Sequence, residues 1–249
     1  MEYITAGESH GPVLTAIVSG VPAGLAISEK AINSDLARRQ SGYGRGGRQA
    51  IEKDKVSVTS GVRFGHTIGS PVTLSVANRD WSNWTERMSV FGEPPQDLVR
   101  EVTPRPGHAD LLGVLKNDMD DCRNILERSS ARETTMRVAA AGIAREFLAE
   151  LGVEIYSYVV SIGDEIMEEE DPMAAATTYT PPDIEMSEVR CPSSEASERM
   201  MDAIDKAKDA GDTLGGVFRV VVTALLPPVC GDEKPTNRLT SKLVGALFS

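Results

Sequence analysis

Three histidines occur in the chain, His10, His66 and His108, and two of them sit where an imidazole has a chemical use. His10 lies in Gly7-Glu8-Ser9-His10-Gly11-Pro12, a polar segment between glycines where no core packing calls for an imidazole. His108 lies in Arg105-Pro106-Gly107-His108-Ala109-Asp110, a stiff turn with a guanidinium and a carboxylate in reach. Both read as positioned proton carriers, because an imidazole exchanges its proton near neutrality. His66, in Gly65-His66-Thr67, lacks such surroundings and reads as a surface or strand-end residue.

The arginines fall into three groups. Arg38, Arg39, Arg45 and Arg48 lie in one glycine-rich stretch, whose Gly42, Gly44 and Gly47 formally match G-x-G-x-x-G. The match is weak as a dinucleotide fingerprint, because it follows a helix-like stretch and not a strand. Arg123, Arg128 and Arg132 surround Ser129-Ser130, and Arg105 stands beside His108. The serine pair precedes a helix, where free amides and the helix dipole favour anions. Flanking guanidinium groups add charge-assisted, bidentate donors. Together these residues point to a site for a small ligand carrying several phosphate or carboxylate groups. A solvated surface, or a Gly/Arg loop touching RNA, are the competing readings of the glycine-rich arginines.

Composition narrows the choice. The 249 residues carry 26 Lys+Arg against 37 Asp+Glu, a net charge of −11. Such an acidic chain repels nucleic acid and anionic membranes unless its basic groups are gathered in one place. Neither nucleic acid nor membrane is therefore expected as a partner. The 41% hydrophobic and 25% charged residues are ordinary globular usage and exclude a disordered chain, a collagen and a coiled coil. Cys122, Cys191 and Cys230 read as reduced structural thiols, and no Cys/His set has metal-binding spacing. The N-terminus lacks a basic start and an apolar run, so a cytoplasmic location is expected. Serine hydrolase chemistry fits poorly, because Gly7-Glu8-Ser9-His10-Gly11 lacks the strand-turn-helix setting of a nucleophile elbow. No carboxylate pair suggests a glycosidase.

The elements that must position these residues follow from periodicity. Strands are expected over 14–18, 56–59, 72–76, 153–162 and 217–226, and a short helix over 31–40. Residues 78–107 read as loop. Ser130 and Glu133 have capping-box spacing at the start of a helix, with Met136, Ala140, Ile143, Phe147 and Leu151 as its buried stripe and Gly152 as its stop. A second long helix is expected over 196–210. The acidic stretch around Glu168-Glu169-Glu170-Asp171 reads as part of an exposed excursion. Leu239, Leu243 and Leu247 begin a helical stripe, which either docks on something or continues in a longer natural chain. The pattern predicts one α+β domain over 1–249, with 164–195 as a surface excursion.

Several long segments resemble the chorismate synthase family. They are Gly7–Pro12, Gly20-Val21-Pro22-Ala23-Gly24, Arg38–Gly46, Gly69-Ser70-Pro71-Val72, Asn78-Arg79-Asp80-Trp81, Arg105–Asp110, Leu126–Thr134 and Gly211–Gly216, in that order. The likeness runs from Ile4 to about Pro228. It implies a β-α-β sandwich, a homotetramer and a reduced FMN cofactor, with NADPH as a possible reductant. It implies one reaction, anti-1,4 elimination of phosphate from 5-enolpyruvylshikimate 3-phosphate to give chorismate. Carried over by position, His10 would protonate or stabilise the reduced flavin and His108 would donate a proton to the departing phosphate. Ser9, Arg39, Arg45, Arg48, Arg105 and Arg132 would hold substrate. Arg39, Arg45, Arg128, Ser129 and Ser130 would contact FMN. The family's C-terminal third, with a Lys-Pro-Thr segment for FMN and an Arg and Asp completing the site, has no counterpart here. Lys234-Pro235-Thr236 has that composition at the wrong position. The alternative is an impaired homologue acting only as an anion-binding or assembly module.

Overall fold

Alternating apolar and polar residues build the first sheet of this computed structural model, which describes residues 1–45, 52–169, 173–174, 178–225 and 231–248. Arg48, Cys230 and the Glu170-Asp171 end of the acidic run lie outside the described residues. Two compact units, Met1–Phe147 and Leu148–Ser249, make up the chain.

The first unit holds β1 (Glu2–Ala6), β2 (Val13–Ser19), α1 (Glu29–Gln40), β3 (Val56–Ser60), the short pair β4 (Val62–Arg63) and β5 (His66–Thr67), and β6 (Val72–Ala77). The main sheet is antiparallel in the order β1-β2-β6-β3. Its register sets Leu14 opposite Val76, Ala16 opposite Leu74 and Val18 opposite Val72. These side chains share one face and pack on Ile32 and Leu36 of α1. Each large aliphatic chain so buried contributes about 1.5–3 kcal/mol. No alternation betrays β1, because all five residues are exposed or half-buried and it is held by backbone pairing at the sheet edge. His66 is exposed in β5, as the sequence predicts.

After a short 3-10 turn (Arg79–Asn83), the loop-rich stretch leads to α2 (Asp110–Asn117) and the single turn α3 (Arg123–Leu126). A 3-10 turn (Ala131–Glu133) then opens α4 (Thr134–Glu150). The expected capping box is replaced by a tighter arrangement. The Ser130 hydroxyl accepts from the Arg132 amide at 3.3 Å, one residue earlier than a box requires. Glu133 turns instead to stronger donors, Arg137 Nε at 2.9 Å and the Thr5 hydroxyl at 2.7 Å. Met136, Ala139, Ala140 and Ile143 of α4 complete the core of this unit. Gly142 lets the helix close on α1, since a Cβ there would meet Ile32 Cγ1 at 2.8 Å.

The second unit holds β7 (Glu154–Ile162), β8 (Glu165–Ile166), α5 (Pro181–Glu185), α6 (Ser194–Asp209), β9 (Gly216–Thr223) and α7 (Leu239–Leu247). Its sheet runs β8-β7-β9, all antiparallel. The stretch expected as a solvated excursion is partly interior. Met167 is buried, and Glu169 pairs with Arg219 Nη1 at 2.6 Å and accepts from the buried Tyr158 hydroxyl at 2.9 Å. The cause is β8, which folds back along β7 and returns Glu169 to the strand arginine Arg219. Both units are antiparallel sheet with helices, an α+β fold.

Candidate functional site

His10 stands on the return from β1 to β2. Gly7 makes the return possible: its φ is +106°, and a Cβ would lie 2.5 Å from the Val13 carbonyl. Asn78, just after β6, pins the loop by donating to the Glu8 carbonyl at 3.1 Å and the Gly11 carbonyl at 2.8 Å. The Ser9 amide donates to the Glu127 carbonyl at 3.0 Å, and Ser9 is buried. The Glu127 carboxylate then takes hold of His10 twice. One oxygen accepts from the His10 backbone amide at 2.8 Å, and the other lies 2.8 Å from Nδ1. Arg123, one turn earlier, donates to that second oxygen at 2.8 Å. Burial works to raise the pKa of Glu127, but hydrogen bonds from His10 and Arg123 outweigh it and leave the carboxyl lowered.

The other faces of His10 are equally defined. Trp84 packs on the imidazole at 4.1 Å between ring centroids, and the Arg123 guanidinium sits 4.9 Å from the Trp84 ring. Asp80 Oδ2 lies 3.8 Å from Nε2 and accepts from the Trp84 indole at 3.1 Å.

His108 is held more locally. Asp110, fully buried at the start of α2, accepts from the Arg105 amide at 3.1 Å and from Arg105 Nε at 2.9 Å. Its other oxygen contacts His108 Nδ1. Arg105 Nη2 lies 3.1 Å from each ring nitrogen of His108. The Arg105 hydrogen bond holds the Asp110 carboxyl far below the usual carboxylate range, against the effect of burial. Arg105 is raised in turn, chiefly by its hydrogen bond to Asp110, with Glu101 and Glu127 adding to the effect. The backbone links the two histidine centres, since the Cys122 amide ahead of α3 donates to the Glu101 carbonyl at 2.8 Å.

Arg39, in the last turn of α1, reaches the Ala131 carbonyl at 2.8 Å and the Thr134 hydroxyl at 2.9 Å. Its pKa is lowered by burial, opposed by Asp54 and assisted by Arg132 and Arg45, so these cations share one neighbourhood. Arg128 donates to the Thr5 carbonyl at 3.0 Å and hydroxyl at 2.6 Å. Arg132 is buried, donating to Asn78 Oδ1 at 2.9 Å and Asp54 Oδ2 at 2.8 Å, with Glu52 at 3.5 Å. A guanidinium in that setting holds protein groups: through Asn78 it steadies the loop of His10. Ser129 and Arg45 are exposed. The half-exposed Arg128 guanidinium and the hydroxyls of Ser129 and Ser130, at the entry to α4, are a donor set of the type that holds a phosphomonoester. By that chemistry the residues fit the phosphate of FMN.

Sequence reasoning did not single out Glu127, Asp80 or Trp84 as partners of His10. Arg123 and Glu127 have helical i,i+4 spacing, which was a visible signal. A contact spanning 117 residues had none.

A family model described as chorismate synthase matches residues 1–249, beyond the Pro228 at which the likeness was expected to fade. A chorismate synthase of Geobacter metallireducens is 51% identical over 259 residues, covering all of this chain and 63% of the relative. Those of Bacillus pumilus and Aquifex aeolicus are 48% and 46% identical, each with 64% of its length covered. A chorismate synthase crystal structure superposes with a TM-score of 0.79 at 38% identity, over 99% of this chain and 64% of that one. The chain thus spans less than two thirds of the length of these relatives.

Proposed function

Because the chain belongs to the chorismate synthase family, we propose that it carries the histidine and arginine centre of a phosphate-eliminating lyase. The substrate is 5-enolpyruvylshikimate 3-phosphate. A ring C–H proton and the allylic phosphate leave in an anti-1,4 elimination, giving chorismate and inorganic phosphate without net oxidation. Reduced FMN, when bound, lends electron density to the allylic system, with NADPH as a source of reducing equivalents.

The observation that carries this reading is the contact between Arg105 and His108, with Nη2 3.1 Å from the ring nitrogens. A departing phosphate gathers negative charge and needs a proton, so a cation and an imidazole at one point serve both needs. His108 donates the proton. Arg105, Arg39, Arg45 and Arg48 bind the phosphate and carboxylates, together with Ser9 on the His10 loop. His10 holds a proton at the flavin. Arg128, Ser129 and Ser130 bind the flavin phosphate, and Arg132 supports the His10 loop through Asn78. The family likeness also supports a homotetramer in the cytoplasm and a single functional domain; among the described residues no helix is long and apolar enough to cross a membrane.

The test is an anaerobic assay with chemically reduced FMN and 5-enolpyruvylshikimate 3-phosphate. Chorismate and phosphate should appear together, and His108→Ala should abolish both. A folded chain that binds the substrate and FMN yet releases no phosphate would overturn the reading.

A further inference from the structure

Glu127 has one property that the elimination chemistry does not explain. Its buried carboxylate faces three donors and no acceptor among the contacts described: the His10 amide, His10 Nδ1 and Arg123 Nη1, each at 2.8 Å. An ionised carboxylate only accepts hydrogen bonds, so Nδ1 must carry the hydrogen between them. The lone pair of a neutral His10 is then on Nε2. That atom points at the opposite side of the ring, where Asp80 stands 3.8 Å away and Trp84 closes one face. The neutral histidine side chain in water prefers the other tautomer, with the hydrogen on Nε2, so the arrangement is imposed by the protein.

We infer that Glu127 is a positioning residue: it fixes the Nδ1–H tautomer of His10 and makes Nε2 the atom that gives and takes the proton. The role in turnover rests on the function proposed above, whereas the tautomer does not. The grip of one carboxylate on both the backbone and the ring of His10 sets the ring plane as well as the hydrogen. Glutamine cannot replace it. With its oxygen toward Nδ1 and Arg123, the amide NH2 would confront the His10 backbone N–H. Reversed, the NH2 would confront Arg123 and Nδ1 together, and His10 would have to move its hydrogen to Nε2.

The experiment is 15N spectroscopy of the histidine rings in the full chain, where three histidines give a readable spectrum. His10→Gln assigns the signals, and the measurement is made at a pH where the rings are neutral. The expected result is a protonated Nδ1 and a bare Nε2 for His10. A bare Nδ1 in the unaltered chain overturns the inference with no variant needed. In Glu127→Ala, which leaves Nδ1 with no acceptor from this residue, the His10 Nδ1–H signal should be lost while the His108 signals persist; its retention also overturns the inference. Where turnover is measurable, Glu127→Gln should lower kcat by roughly 10²- to 10⁴-fold with KM little changed, as in wrong-tautomer variants of other histidine sites. A chain inactive from the outset removes the proposed function and leaves the tautomer result standing.

Discussion

The two histidine centres use the same parts and assemble them differently. In each, Nδ1 meets a buried carboxylate that also binds an arginine. At His108 the parts lie within five residues, and Arg105 is half exposed. At His10 the carboxylate comes from 117 residues away, and a tryptophan closes the ring face. The second charged neighbour differs as well: at His10 a carboxylate, Asp80, stands 3.8 Å from Nε2, and at His108 a guanidinium, Arg105, lies 3.1 Å from both ring nitrogens. A centre made of sequence neighbours can form whenever its own turn forms. A centre made of distant residues exists only when β1, β2, β6 and α3 are all in place, so it should be the more fragile of the two.

Arg132 offers the strongest way to test that contrast. Arg132→Met takes the guanidinium from buried Glu52 and Asp54, leaving Arg39 3.8 Å from Asp54, and releases Asn78 from one side. A loss of about 3–5 kcal/mol is expected, because an unpaired buried charge is costly. Urea unfolding reads the loss, and the ring signals of His10 should broaden while those of His108 hold. Equal disturbance at both centres would erase the distinction between them.

Acid should act on both centres through their carboxylates. The pKa values of Glu127 and Asp110 are lowered in the folded chain. Each therefore contributes stability that is present above the ordinary carboxylate pKa of about 4 and is lost as pH falls toward the folded value. Stability measured by urea midpoints should decline as pH is lowered through that range. Asp110→Asn should flatten the decline, and an unchanged slope would show that the Arg105–Asp110 contact contributes little.

Trp84→Leu touches the distant centre alone. It removes the ring packing on His10 and the cation–π contact with Arg123, at a cost of about 0.5–1.5 kcal/mol. The smallest change is expected for Arg100→Ala. Arg100 pairs with Asp120 on the surface, with both side chains mostly exposed. Thermal unfolding should shift by no more than about 1 kcal/mol allows. A larger effect would mean that the segment leading to Arg105 is tied down by surface charge.

Legibility followed the same division. Arg105, His108 and Asp110 could be read together because a Pro-Gly turn brings near neighbours into contact. His10 was recognisable by its odd setting, but its partners were not, since nothing local in Leu126–Glu127–Arg128 announces a contact with residue 10. Strand alternation announced β2, β3 and β6, whereas β1 has no buried face to set a pattern. Within the acidic run Glu169 departs from a solvated position, because composition does not show that it meets Arg219.

By itself the sequence determined the α+β class, the apolar faces that make the cores, and the residue types of an arginine and histidine site. These are properties of local spacing, which side-chain periodicity and turn chemistry enforce within a few residues. Tertiary structure alone decided which carboxylate the His10 imidazole meets, which arginine is buried against Asn78, and where Nε2 of His10 faces. Such pairings depend on where whole strands and helices come to rest, and that is set by the sum of packing across the sheet and not by any neighbouring pair of residues.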